Sequence, residues 1–241
     1  MNDSEPRLLE YEPGDLIAIA DGGLRLSQLA AALDHQRLSL DPPGDPTLAE
    51  CVLEDLSGPL RHRYGRIRDL LIGITVVLPD GTRASSGGKV VKNVAGYDLG
   101  KLFCGSRGRL GSVERVALRL HPCPELDRSV AIEGSRWGEL LRSQVVASAA
   151  DLVGDVLYVL VEGSTRAVEA QINRLGGEPV EVDAWEEIRA LQASLPGVER
   201  WDGQEAALVR PGPRVAYVER AREADWSPLA ERLVEALCSK S

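Results

Sequence analysis

Residues 57–81, SGPLRHRYGRIRDLLIGITVVLPDG, and residues 87–122, GGKVVKNVAGYDLGKLFCGSRGRLGSVERVALRLHP, decide the fold of this chain. Leu70–Leu78 is rich in β-branched residues and ends at Asp80-Gly81, a hairpin turn, so a return strand is predicted from Thr82 and broken at Ser86-Gly87-Gly88. Tyr97–Phe103 has the length and residue types of a short helix closed near Gly105. Val113–Leu120 (VERVALRL) reads as another strand. Short strands mixed with short helices, with no regular strand–helix–strand repeat, predict an α+β fold.

Working outward toward the N-terminus, Thr47–Leu56 reads as a helix because Thr47 and Glu50 form a capping box, and Ser57-Gly58-Pro59 ends it. Asp41–Pro46 (DPPGDP) is a rigid loop. Ser27–Leu33 reads as a helix with Ser27 as its cap, and Leu16–Ala20 as a buried strand that turns at Gly22-Gly23. In the other direction, His121-Pro122-Cys123-Pro124 is a punctuated linker. A boundary there divides the chain into 1–122 and 123–241. The second part is expected to contain strands at Ser129–Glu133 and Val156–Val161. Paired strands are expected at Ala206–Val209 and Val215–Val218. Helices are expected at Trp137–Ala149, Thr165–Leu175, Ala184–Leu195 and Trp226–Leu237.

The chain has 241 residues and is 44% apolar, enough to bury a core. Only ten residues are aromatic (four Trp, five Tyr, one Phe), so Leu, Val, Ala and Ile must fill that core. A net charge of −9 opposes nonspecific nucleic-acid binding and leaves a reading of Arg61–Arg68 as a nucleic-acid face with little support. No run is apolar enough for a membrane span, and the polar, acidic start does not read as a signal peptide, so a cytoplasmic location is expected. Cys51, Cys104, Cys123 and Cys238 are far apart with no paired spacing. They are expected to be free buried thiols, with neither a disulfide framework nor a metal site. Catalytic residues are unassigned: His35, His62 and His121 fall in no base, flavin-linking or metal pattern.

The glycines and basic residues of the first part form an ordered set: a Ser-Gly turn, Arg-Tyr-Gly, Ile-Arg-Asp, an Asp-Gly hairpin, Lys-Asn-Val-Ala-Gly-Tyr-Asp-Leu, then Leu-Gly before a strand. Glycine lets main-chain N–H groups approach a diphosphate, and arginine suits phosphate oxygens. The Gly105, Gly108, Gly111 spacing follows a short helix rather than a strand, which rejects a Rossmann loop.

Taken together, Leu8–Pro122 resembles the FAD-binding domain of the vanillyl-alcohol-oxidase (PCMH-type) superfamily, and within it the flavin subunits of glycolate oxidase. The resemblance implies the second lobe of that domain followed by a smaller α+β cap-like domain. It implies FAD as cofactor and a 2-hydroxy acid as substrate, with electrons passing through flavin to an iron–sulfur partner chain. The residues that it assigns to the cofactor are Ser57, Gly58, Arg63, Tyr64, Gly65, Lys92, Asn93, Gly96, Tyr97, Gly111 and Val113, with Asp69 pairing to a local arginine.

Two departures stand out. Tyr11-Glu12-Pro13 matches a position after the family's first lobe, so that lobe is missing here, and a partner chain is one source from which it could come. Thr47-Leu48-Ala49-Glu50 stands where relatives carry a glycine-rich diphosphate contact, and a carboxylate there opposes phosphate. Three alternatives follow: FAD held weakly by this chain, FAD held with a partner, or a non-catalytic structural or regulatory subunit that keeps the fold without the flavin.

Overall fold

A computed structural model describes residues 5–87, 98–181, 183–203 and 206–219. The first part contains β1 (Leu8–Glu12), β2 (Ile17–Asp21), α1 (Leu26–Ala32), β3 (Gln36–Arg37), α2 (Leu48–Leu53), α3 (Arg61–Tyr64) and α4 (Ile67–Leu70). It continues with β4 (Leu71–Val77), β5 (Arg83–Gly87), α5 (Leu99–Phe103), β6 (Ser112–Arg119) and β7 (His121–Pro122). Five of these strands form an antiparallel sheet in the order β1-β2-β6-β4-β5. Strand alternation sends Ala18, Ala20, Ile74, Val76, Val116 and Leu118 to one face, where they meet Leu48 and Val52 of α2, Ile67 and Leu70 of α4, and Phe103 of α5. Each buried aliphatic of this kind contributes about 1.5–3 kcal/mol, which is why these very short helices persist.

The second part contains β8 (Leu126–Glu133), α6 (Trp137–Arg142), β9 (Ala147–Val153), β10 (Val156–Gly163), α7 (Thr165–Leu175), β11 (Glu178–Pro179), α8 (Asp183–Ser194), β12 (Gly197–Arg200), β13 (Leu208–Arg210) and β14 (Val215–Val218). Its antiparallel sheet runs β11-β8-β10-β9-β13-β14-β12. Leu157, Val159 and Val161 of β10 pack with Val168 and Leu175 of α7 on one face. Tyr158 and Leu160 point the other way, to Trp185 and Ile188 of α8. The molecule is α+β.

Several elements depart from the sequence reading. The helix expected over Trp137–Ala149 stops at Arg142, and Ala147–Val153 is a strand between β10 and β13. Alanine favours a helix in isolation, but here Ala147, Ala149 and Ala150 are buried between two neighbouring strands, where small side chains fit. Ser27 is not the cap of α1, which starts from Arg25. Ser27 gives both its N–H and its hydroxyl to Asp45 (2.9 and 2.7 Å). His121-Pro122 is a paired strand, bonded back onto β3, rather than a free linker. Cys51 is buried and Cys104 partly so, but Cys123 is exposed, against the expectation of buried thiols. Cys238 and the helix expected over Trp226–Leu237 lie outside the described residues. Among the described residues no helix is long and apolar enough to cross a membrane, and no cluster of His, Cys, Asp and Glu has metal-ligating geometry.

Candidate functional site

The Ser57–Gly65 stretch leaves α2 and becomes the one-turn helix α3, which lies against β9 of the second sheet. Ser57 is buried. A side chain on Gly58 would run into the main-chain carbonyl of Asp41, so this glycine lets two chain segments touch inside the protein. Gly65 has φ +81 and closes α3, and a Cβ there would meet Asp69 Oδ2 at 2.5 Å. Asp69 accepts from the Arg66 main-chain N–H (2.8 Å), while the Arg66 guanidinium pairs with Asp55 (2.5 Å).

The arginines are largely engaged within the protein. Arg61 reaches Ser57 Oγ at 3.3 Å. Arg63 lies over the Tyr64 ring and donates to Ser148 Oγ and the Glu162 carbonyl (3.3 and 3.4 Å). Gly111 has φ +131, and its missing side chain makes room for the Val77 carbonyl. Val113 is buried, with its carbonyl against Gly22. Lys92, Asn93, Gly96 and Tyr97 lie outside the described residues.

The start of α2 resolves the competition between capping and cofactor binding at that segment. Thr47 N–H goes to Glu50 Oε2 (2.7 Å), and Leu48 N–H to the Leu24 carbonyl (2.9 Å). Ala49 N–H goes to the Gly22 carbonyl (2.7 Å), and Glu50 N–H to Thr47 Oγ1 (3.2 Å). A helix start binds anions through unsatisfied N–H groups, and here each has an internal acceptor. The Thr47 bonds hold the Glu50 carboxyl below its ordinary range.

Two of the assigned residues, Arg63 and Tyr64, do line an open space. With His121, Glu162 and Ser164 they bound a cleft of about 300 Å³ between the two parts of the chain. Arg37 of β3 forms a two-pronged ion pair with Glu162 of β10 (2.7 and 2.6 Å). Burial alone would raise the Glu162 carboxyl, but its bonds to Arg37 hold it below the ordinary value. The Tyr64 and His121 rings meet at 4.6 Å. Burial and the neighbouring arginines push His121 below its ordinary range, favouring the neutral ring, and its Nδ1 is buried without a hydrogen-bond partner.

Sequence reasoning did not single out His121, Arg37 or Glu162 for this place. Pairing between β3 and β7, short strands far apart in sequence, brings Arg37 beside His121, and the packing of the second sheet against them adds Glu162 of β10. The cleft fits a small polar fragment and is too small for a dinucleotide. The N–H groups at the start of α2 are all taken up by internal acceptors.

Comparison with known proteins agrees with the fold and the sequence resemblance. Residues 2–87 match the family model described as FAD binding domain. Glycolate oxidase subunit GlcE of Escherichia coli is 32% identical over 204 residues, 79% of this chain and 58% of the relative. Glycolate oxidase subunit GlcD of Bacillus subtilis is 32% identical over 165 residues, 66% of this chain and 33% of the relative. D-lactate dehydrogenase of Archaeoglobus fulgidus is 33% identical over 117 residues, 47% of this chain and 26% of the relative. The chain thus spans at most 58% of the length of these relatives. Among solved structures, alkyldihydroxyacetonephosphate synthase superposes with a TM-score of 0.62 at 16% identity, over 76% of this chain and 43% of that one, a likeness of fold.

Proposed function

We propose that this chain, a homologue of glycolate oxidase subunits with the fold of PCMH-type FAD-binding proteins, is the flavin-binding subunit of a 2-hydroxy-acid oxidoreductase complex. The observation that carries the reading is the 32% identity to subunit GlcE over 204 residues, which runs well past the FAD-domain match at residues 2–87. FAD, when bound, supplies a hydride-accepting ring for oxidation of a 2-hydroxy acid. The chain's own contribution is binding and orientation. Arg63 and Tyr64 present their side chains to the cleft, where both are also bonded to Glu162, and the neutral His121 ring meets the Tyr64 ring beside them. Ser57, Gly58 and Gly65 shape the main chain on either side of Arg63 and Tyr64, Gly111 and Val113 lie at the other end of β6 against Val77 and Gly22, and Lys92, Asn93, Gly96 and Tyr97 complete the assigned set. Because the N–H groups at the start of α2 are internally satisfied, other main chain, from this protein or a partner, meets the diphosphate. An iron–sulfur partner then accepts the electrons.

The test is a visible spectrum of the purified chain, alone and co-expressed with its neighbouring subunits, after reconstitution with FAD. Flavin absorbance in the complex, and FAD-dependent turnover of a 2-hydroxy acid, are expected. No flavin absorbance in any of these preparations overturns the proposal. The closed helix start favours a second reading, a subunit that keeps the fold without flavin, and that reading predicts a colourless complex.

A further inference from the structure

The second part holds a polar cluster that the proposed chemistry does not use. Arg210 of β13 and Asp151 of β9 are both fully buried. Arg210 Nε lies 3.1 Å from each Asp151 carboxylate oxygen. One Nη donates to the Tyr217 hydroxyl of β14, and the other donates to Gln192 Oε1 of α8 at 2.7 Å. Apolar residues of similar volume would in general stabilise such a place as well or better. The cluster therefore calls for a reason beyond stability.

The reason lies in the direction it imposes on Gln192. An amide has two ends, and packing alone distinguishes them poorly. Arginine has no acceptor, so Gln192 must present its oxygen to Arg210, which turns its nitrogen outward. That nitrogen donates to the Ser57 main-chain carbonyl at 2.7 Å. Ser57 begins the turn assigned to the cofactor, and two more ties hold the same turn. Arg61 reaches Ser57 Oγ, and Asp41 Oδ1 accepts from Leu60 N–H at 3.0 Å, with Arg189 of α8 at 3.8 Å from the other Asp41 oxygen.

We infer that Gln192, oriented by the buried Arg210–Asp151 pair, is a positioning residue that fixes the Ser57–Gly65 turn for the cofactor. This rests on the flavin reading of that turn. It assigns to the second part a role in shaping a site whose main chain belongs to the first.

The test uses Gln192→Glu and Gln192→Met in the full chain, with and without its neighbouring subunits. Glutamate keeps a partner for Arg210 but cannot donate to Ser57, so it separates the turn from the stability of the cluster. Methionine removes both bonds. In the absence of FAD, faster amide hydrogen exchange confined to Ser57–Gly65 is expected in both variants, with β10 unchanged. On titration with FAD, affinity is expected to fall about tenfold, which corresponds to about 1.4 kcal/mol, while the melting temperature of Gln192→Glu stays close to wild type.

Unchanged exchange across Ser57–Gly65 overturns the inference. So does unchanged FAD affinity in a variant whose turn has loosened. If the wild-type complex takes up no FAD, the proposed function fails instead, and the exchange measurement still decides whether Gln192 holds the turn.

Discussion

Gly58 shows how one residue type carries two readings that only coordinates separate. A glycine after serine in a turn is consistent with main chain approaching a phosphate. In the structure the same absence of a side chain admits the Asp41 carbonyl instead. Gly58→Ala places a Cβ against main chain that cannot swing aside, so about 1–3 kcal/mol of destabilisation is expected from overpacking. Equilibrium denaturation measures it, and a variant as stable as wild type would show that the Asp41 loop yields. What was legible at this scale was the set of positions with special requirements: Gly58, Gly65 and Gly111 each sit where a side chain does not fit. Their partners were not legible. Asp69 lies four residues from Gly65 and was within reach of the sequence, but Asp41 and Val77 are supplied by the fold, and nothing in the local sequence names them.

Elements were readable in proportion to how far local chemistry governs them. Thr165–Leu175 stands as read, because Gly176 at φ +61 stops the helix. The capping box of α2 also stands, because Thr47 and Glu50 meet over three residues and need no tertiary help. The Ala147–Val153 strand was missed because its identity comes from the strands beside it. Helix α3 was missed because four residues carry too little periodicity to see. The capping box also makes a prediction that separates structure from binding. Thr47→Ala removes the cap, and stability is expected to fall by about 1 kcal/mol. FAD affinity is expected to stay unchanged, since the N–H groups of that helix start point to internal acceptors. A calorimetric FAD titration beside thermal denaturation checks both. A drop in FAD affinity out of proportion to the stability loss would place the diphosphate at α2 after all.

At the scale of the molecule, the two parts meet through charge as well as packing. Arg37 from the first part and Glu162 from the second form a two-pronged pair beside the cleft, with side chains 25% and 5% exposed. The Glu162 carboxylate has little access to water, so its charge depends on the partner. Arg37→Met removes the main partner of that charge and leaves only Ser148, Tyr64 and Arg63 beside it, at a cost of up to about 3–5 kcal/mol. Arg37→Met with Glu162→Leu removes both charges and is expected to be more stable than the single variant, because the cost lies in the orphaned carboxylate. The pH dependence separates the variants further. In the wild type the Glu162 carboxyl is held below its unfolded value, so its contribution is present above that value and is lost as pH falls through the folded one. In Arg37→Met, burial is opposed only by Ser148 and Arg63, so the folded value rises above that of the wild type and the variant loses stability relative to the wild type as pH rises between the two folded values. Denaturation midpoints from pH 4 to pH 7 should therefore show the single variant gaining on the wild type toward acid, with the double variant flatter than either. A single variant that loses no stability relative to the double at neutral pH would mean that water reaches Glu162 freely and that this ion pair does not hold the two parts together.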